Sequence, residues 1–392
     1  MKILLVCAFK FHSDHVAYQL QKNGLLYRVI TAYPAPFYCN REPLDKSKII
    51  FLTPFFMFYW LLIKTIGRIH YFQLLINWLM SAAFDRLASL FVGRPDISIS
   101  WAWSSYYIIK KIKRQGKIAI VEKCGSFNKH QEKILKEEYE RLGYAYRRHV
   151  HKRILEREHK ECEIADYILC PSQYVANSLT EYGIKKEKII IVPYGVNLDL
   201  FKKEKKQDDV FRVIFVGNIG VHKGLIYLFK ALEKLQLSNF ECLLIGKIEP
   251  CFITYFNQYR KYFEYIPKIA HKQLRYYYSN ASVLVFPSLD EGFSLVQLEA
   301  MACGLPVITT FNAGASAVVR DNQEGFLVPI RDSEAIKEKI EFLYNNPHEL
   351  KRLAENALKR AKEFSWDNYI EKLVNELNIL KQRDSWGVKV NN

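Results

Sequence analysis

Several familiar signatures of metal and cofactor sites are absent from this 392-residue sequence. None of its eight cysteines forms a Cys-x-x-Cys pair, which excludes the spacing typical of zinc sites and disulfide-exchange motifs. There is no Gly-x-Gly-x-x-Gly run and no Gly-Lys-Ser/Thr, so neither a dinucleotide fingerprint nor a P-loop is indicated. No Asp-x-Asp pair is present to hold a divalent ion. The sequence therefore predicts a protein that needs neither metal nor cofactor.

The scattered cysteines also give no disulfide framework, and we expect them to be buried thiols in a reducing compartment, the cytoplasm. The apolar run Ile3–Phe9 resembles a signal peptide only superficially, because Lys10 breaks it and no small-residue cleavage site follows. We predict a first β-strand there instead.

Apolar runs long enough to span a bilayer are missing too. The two most apolar stretches, 49–63 and 69–84, fall short of the roughly 18–20 residues that a span needs. Two interpretations remain open: a pair of core helices, or a surface that dips into a bilayer interface. Basic residues flank the stretches and suit the second interpretation, an anionic membrane surface: Lys64, Arg68, Arg86, Arg94 and the cluster at 110–114.

Acidic side chains are outnumbered: 57 Lys and Arg stand against 41 Asp and Glu, for a net charge of +16. Residues 1–200 hold 30 of the basic and 18 of the acidic side chains, so the first half carries most of the excess. Such a surface attracts phosphates, nucleic acid or anionic lipid. Because no nucleic-acid-binding module is recognisable, we do not expect nucleic acid as a partner.

Short β-branched apolar runs alternate with helical patterns throughout, which predicts βαβ units and parallel sheets in an α/β fold. A polar run at 201–209 interrupts the pattern before a new buried strand begins at Arg212. We therefore predict a first domain over 1–195, a linker over 196–210 and a second domain over 211–365. A terminal helix over 366–392 shows apolar residues at helical spacing.

The most informative stretch runs from Phe286 to Thr310. A buried strand is followed by a loop with Gly292, a helix over about Ser294–Cys303, and a second buried strand. Ligands bind at the carboxyl ends of the strands in such sheets, and free amides at a helix start attract phosphate. Glu291 and Glu299 are so placed that each could hold hydroxyl groups at one end of a diphosphate. On spacing alone, however, both could equally be solvated charges near a helix terminus.

A second turn between strand and helix, Gly217-Asn-Ile-Gly-Val-His-Lys-Gly224, offers flexible backbone and the point charge of Lys223 for a phosphate. Taken alone, it is as consistent with an ordinary βα turn.

Together the two stretches resemble the retaining glycosyltransferases of family 4, which have the GT-B fold of two facing Rossmann-like domains. The E-x7-E signature of that family is matched by Glu291 and Glu299, and the similarity extends over roughly residues 97–380. It implies a terminal helix that crosses back onto the first domain. It also implies a nucleoside diphosphate sugar as donor, bound without metal, and a saccharide or lipid-linked saccharide as acceptor.

The resemblance also implies roles for individual residues. Lys223 would contact the donor diphosphate, Glu291 the transferred sugar, and Glu299 the ribose hydroxyls. The base would lie near Ile266–Lys268. The remaining predicted contacts to the donor sugar nucleotide lie in the two loops and at the start of the following helix: Gly217, Asn218, Gly292, Phe293, Ser294 and Leu295.

Two departures from the family pattern qualify this picture. Asn218 replaces a frequent Arg, and in the first-domain loop Asn128 stands where a His is common, with His130 displaced by two positions. His130 is nevertheless a candidate first-domain contact. The sequence thus predicts a sugar transferase of surface polysaccharide or glycolipid assembly at the cytoplasmic membrane face. The alternative is a catalytically impaired nucleotide-binding or scaffold protein of the same fold. A phosphorylase-like enzyme is a further rival, but the sequence lacks the lysine context in which such enzymes bind their pyridoxal cofactor.

Overall fold

The computed structural model describes residues 1–67 and 69–385, and its first half is built on a seven-stranded parallel sheet. The strand order is β3-β2-β1-β4-β5-β6-β7. Because helices cover both faces, the central strands are buried along their whole length, as their unbroken apolar runs indicate. The strands are β1 Ile3–Cys7, β2 Leu26–Thr31, β3 Ile49–Phe51, β4 Ile97–Trp101, β5 Ile118–Glu122, β6 Tyr167–Cys170 and β7 Ile189–Ile191.

A six-stranded parallel sheet forms the second half, in the order β10-β9-β8-β11-β12-β13. The adjacent central strands β8 and β11 are far apart in sequence, so the order changes direction there and a crevice opens at their carboxyl ends. The strands are β8 Phe211–Val216, β9 Phe240–Ile245, β10 Glu264–Ile266, β11 Val283–Phe286, β12 Val307–Thr310 and β13 Gly325–Val328.

Helices connect nearly all of these strands. Those of the first half are α1 Ser13–Lys22, α2 Ala35–Tyr38, α3 Thr53–Thr65, α4 His70–Ser89, α5 Tyr106–Arg114, α6 Asn128–Arg141, α7 Lys152–Ile164 and α8 Gln173–Glu181. Those of the second half are α9 Leu225–Lys234, α10 Ile253–Gln258, α11 Leu274–Asn280, α12 Leu295–Ala302, α13 Ser333–Asn345, α14 Pro347–Ala361 and α15 Trp366–Ser385.

The terminal helix α15 returns to the first half of the chain. Trp366 stacks on His15 with ring centroids 4.8 Å apart, and Lys22 forms an ion pair of 2.9 Å with Asp367. The predicted crossing helix is therefore confirmed up to Ser385, and the predicted positions 386–392 lie outside the described residues. The division at 196–210 stays a prediction, although Phe201 within it is buried.

The apolar stretches at 49–63 and 69–84 form β3 and the helices α3 and α4. Not one residue of α3 is fully buried, so this helix is not the core helix that one of the two interpretations requires. No helix among residues 1–67 and 69–385 is both long and apolar enough to cross a membrane. Arg68, which we counted among the flanking charges, lies outside the described residues.

The expectation of uniformly buried thiols is wrong for Cys251, which is exposed, while Cys39 and Cys124 are half-buried. Cys251 lies on the surface in a short 3₁₀ turn between β9 and α10, with its sulfur 3.6 Å from the Tyr139 hydroxyl.

Candidate active site

Two loops at the carboxyl ends of β8 and β11 lie side by side and carry the predicted site. The amide of Leu289 donates to the carbonyl of His222 at 2.9 Å, which ties the loops together. Gly224 adopts a left-handed φ of 64°, and a Cβ there would approach the Pro287 carbonyl oxygen to 2.1 Å. Only glycine permits this contact, so Gly224 is required where the two loops meet.

Lys223 and Glu291 meet between these loops as an ion pair. Both side chains are largely enclosed, at 12% and 25% exposure, and the Lys223 Nζ also lies 5.2 Å from the ring centroid of Phe286. Lys223 and Glu291, which are 68 positions apart in the sequence, are thus in direct contact in the structure. An anion that enters here finds a positioned ammonium group, with a carboxylate beside it to accept hydroxyl hydrogen bonds.

The helix α12 begins next to this pair. Ser294 is its N-cap, and its side chain makes no cap hydrogen bond. The first backbone N–H groups of a helix have no acceptor within the helix, so the amides near Leu295 are available to an anion. Phe293 packs edge to face against Tyr194 of the first half, with ring centroids 5.2 Å apart.

Glu299, one turn further along α12, is buried and held by two donors. His271 Nε2 lies 2.7 Å from one carboxylate oxygen, and the Tyr278 hydroxyl lies 3.3 Å from the other. Burial raises the pKa of Tyr278, so its hydroxyl stays protonated and keeps donating. Ile266, at the predicted base contact, ends β10 five residues before His271.

The first half of the chain forms the opposite wall at very close range. A Cβ on Gly292 would lie 2.2 Å from the carbonyl oxygen of Cys124, and the Ser172 hydroxyl donates to the Gly292 carbonyl at 2.6 Å. Asp290 accepts hydrogen bonds of 2.6 Å from both Gln131 and Tyr174. The described cleft is thus closed around the loop that carries Glu291.

A cavity of about 230 Å³ lies in this opposite wall, at the carboxyl ends of β4 and β5. Glu122 lies at its base, nearly fully buried, and accepts from His12 Nε2 at 2.6 Å and from the Tyr194 hydroxyl at 2.9 Å. Asn128 also lines the cavity, but its side-chain amide donates to Glu158. That amide therefore helps to fix the loop before α6.

His130 lies on α6, one residue before Gln131. Its Nδ1 is 2.6 Å from a carboxylate oxygen of Glu181, and its ring faces Tyr174. The side chain of His130, the candidate first-domain contact, is therefore already paired with Glu181. Asn218 is exposed in the loop after β8, and Gly217 precedes it at the end of the strand.

Sequence reasoning missed Asp290, Gln131, Tyr174 and the His12–Glu122 pair. Asp290 directly precedes Glu291, so its position in the loop was visible, but its partners come from α6 and α8. The signal for Glu122 was its place at the carboxyl end of a buried strand, where an acidic side chain is costly unless it has partners.

Two family models match this chain, one over each half. Residues 12–200 match the model of Glycosyltransferase Family 4, and residues 197–360 match that of Glycosyl transferases group 1. An uncharacterized glycosyltransferase of Methanocaldococcus jannaschii is 31% identical over 207 residues. That alignment covers 53% of this chain and 57% of the relative, so the chain spans little more than half the length of the relative it matches.

Solved structures resemble the whole chain. Sucrose-phosphate synthase of Thermosynechococcus elongatus has a TM-score of 0.72 at 19% identity, covering 97% of this chain and 99% of that one. Anabaena HepE in complex with UDP and glucose has a TM-score of 0.70 at 15% identity, covering 96% and 99%. With its two facing parallel sheets, this chain belongs to the GT-B glycosyltransferases of the family-4 type.

Proposed function

We propose that this protein transfers a hexosyl unit from a nucleoside diphosphate sugar to an acceptor hydroxyl, with retention of the anomeric configuration. The observation that carries the proposal is the contact between Lys223 and Glu291 beside the start of α12. An ammonium group and free amides suit a diphosphate, while Glu291 and Glu299 suit the hydroxyls at its two ends. The complex of HepE with UDP and glucose supports UDP as the first nucleotide to test.

The chemistry requires stabilisation of charge on the departing diphosphate. The bond between the anomeric carbon and the phosphate oxygen breaks, and a bond from that carbon to the acceptor oxygen forms on the same face. The acceptor proton passes to the departing phosphate oxygen, so no side chain has to act as base. Each well-aimed donor in such a water-poor site is worth about 3–4 kcal/mol. Lys223 and the amides of α12 would supply this without a metal ion.

The acceptor would bind in the first half, in the cavity above Glu122. An apolar pocket of about 150 Å³ adjoins this cavity, and the two share Phe9, Ser81 and Trp103. Most of its other walls come from α3 and α4, and the segment 149–154 completes them. Large apolar side chains cover the outer faces of these helices: Met57, Phe58, Trp60, Leu61, Tyr71 and Leu79 are each about half exposed. We therefore propose a lipid-linked saccharide as acceptor, used on an anionic cytoplasmic membrane surface in polysaccharide or glycolipid assembly.

Incubation with a panel of UDP-, GDP- and ADP-sugars tests the function directly. We expect slow release of free nucleotide from one donor, and faster release when a lipid-linked acceptor is added. Nucleotide binding without release from any donor would contradict the proposal and favour the scaffold alternative that Asn218 and Asn128 suggest.

A further inference from the structure

A second, larger groove of about 960 Å³ adjoins the cleft, and both halves of the chain line it. Gln131, which lines the acceptor cavity, also lines this groove, and His222, the neighbour of Lys223, forms part of its opposite wall. A molecule bound above Glu122 can therefore extend into the groove without leaving the protein surface.

The groove is lined mainly by neutral polar, aromatic and basic groups. Exposed donors along it are Gln73, His70 and His149, and Tyr144 adds a half-exposed aromatic ring. Amide and imidazole groups beside an aromatic ring can bind both the hydroxyls and the apolar faces of a sugar. Glu249 is the one carboxylate among the lining residues, and its Oε1 lies 3.4 Å from His222 Nδ1.

Arg147 is the unusual member of this lining. It is exposed, and within the described part of the chain no carboxylate lies within ion-pair distance of its guanidinium. Its neighbour Arg148 is engaged instead: its Nε lies 2.7 Å from a Glu132 oxygen, and its carbonyl is 2.8 Å from His70 Nε2. These two contacts fix the loop and leave Arg147 alone facing the groove with its charge uncompensated.

We infer that this groove binds the acceptor beyond its reacting sugar, and that the acceptor carries an anionic group, a phosphate or a carboxylate, which pairs with Arg147. The inference rests on the proposed function, since the groove matters to transfer only if the cleft binds a donor. Guanidinium groups pair with both phosphates and carboxylates in bidentate geometry. The site is therefore defined by its affinity for an oxyanion of either kind.

Matched pairs of disaccharides test the inference by calorimetry on the full chain. Trehalose 6-phosphate is compared with trehalose, and digalacturonate with galactobiose. We expect at least one anionic probe to bind about tenfold or more tightly than its neutral partner, and the pair concerned identifies phosphate or carboxylate. In Arg147→Gln that preference disappears, and in Arg147→Lys it is reduced. Arg141→Gln, which removes an exposed arginine at the end of α6 that does not line the groove, is the matched control and keeps the preference.

Equal binding within both pairs, failure of all four probes to bind, or an equal loss in Arg141→Gln would overturn the inference. Nucleotide release from donor sugars by the unmodified protein is measured separately. If the protein releases nucleotide but binds anionic and neutral probes equally, the proposed function stands and the groove site is wrong. If it prefers an anionic probe but releases no nucleotide, the groove site stands and the proposed function is wrong. Unfolding temperatures of the three variants show whether a loss reflects the fold.

Discussion

At the scale of single residues, the candidate site holds two opposite charges together, and we propose that the donor's anion displaces one of them. Lys223 and Glu291 neutralise each other in the described cleft. Under the proposed function, a diphosphate that pairs with Lys223 would release Glu291 to accept hydrogen bonds from sugar hydroxyls. The two residues should therefore affect different steps.

We expect Lys223→Met to weaken binding of the nucleoside diphosphate and to lower turnover by roughly two orders of magnitude, because a charged donor aimed at the leaving group is lost. Glu291→Gln should lower kcat by a similar factor with little change in nucleotide affinity. Calorimetry with UDP and steady-state kinetics separate the two effects. Lys230→Met, an exposed lysine on α9, is the control; near-normal activity in both site variants would refute these roles.

At the scale of elements, the pair of helices α3 and α4 is the least ordinary part of the fold. An amphipathic helix buries its apolar face, yet α3 leaves Phe58 and Trp60 at 55% and 48% exposure. Exposed apolar patches of this kind mark a surface that another partner covers. Nearby Lys64 adds positive charge, which suits anionic lipid headgroups.

The double variant Phe58→Ser, Trp60→Ser should lose most of its binding to vesicles of phosphatidylglycerol and phosphatidylcholine, because two apolar side chains no longer enter the interface. Sedimentation at low and high salt measures this. Ile379→Ser, which removes a similarly exposed side chain from α15, should bind as the unmodified protein does. If the unmodified protein shows no salt-sensitive sedimentation, the membrane proposal is wrong.

At the scale of the whole molecule, the two halves of the chain meet at the loop that carries Gly292, and we expect activity to depend on that contact. Gly292 allows this closure, since a Cβ there would meet both the Cys124 carbonyl oxygen at 2.2 Å and the Gly125 Cα at 2.5 Å. Closure excludes water from the donor and completes the site.

We expect Gly292→Ala to lower kcat at least tenfold while the unfolding temperature changes little, because the added methyl holds the halves apart without entering either core. Small-angle scattering should show a larger radius of gyration. Gly24→Ala should show the opposite pattern: its φ of 68° is strained for alanine at about 1–2 kcal/mol, but no atom lies within 4 Å of the new Cβ. Full activity of Gly292→Ala would show that closure at this contact is not required.

Much of this fold was predictable from local pattern. Because buried parallel strands are continuous apolar runs, eleven such runs predict strands, and the structure has a strand at each. The eleven runs are 2–7, 27–31, 97–100, 118–121, 167–170, 189–192, 212–216, 241–245, 263–266, 282–286 and 307–309. The two that were missed have a local reason each: Ile49–Phe51 merges into a longer apolar stretch, and Gly325–Val328 is short and begins with glycine. The α12 helix lies within one residue of its predicted bounds at each end.

The sequence by itself determined the two βαβ halves and the positions of Lys223, Glu291 and Glu299, because strand burial, helix ends and glycine turns depend on neighbouring residues. Only the tertiary structure decided that Gln131 and Tyr174 hold Asp290, that Arg147 is left unpaired in a groove that His222 also lines, and that α3 stays outside the core. Those contacts join segments up to 159 positions apart. No local pattern encodes which surfaces two folded halves present to each other.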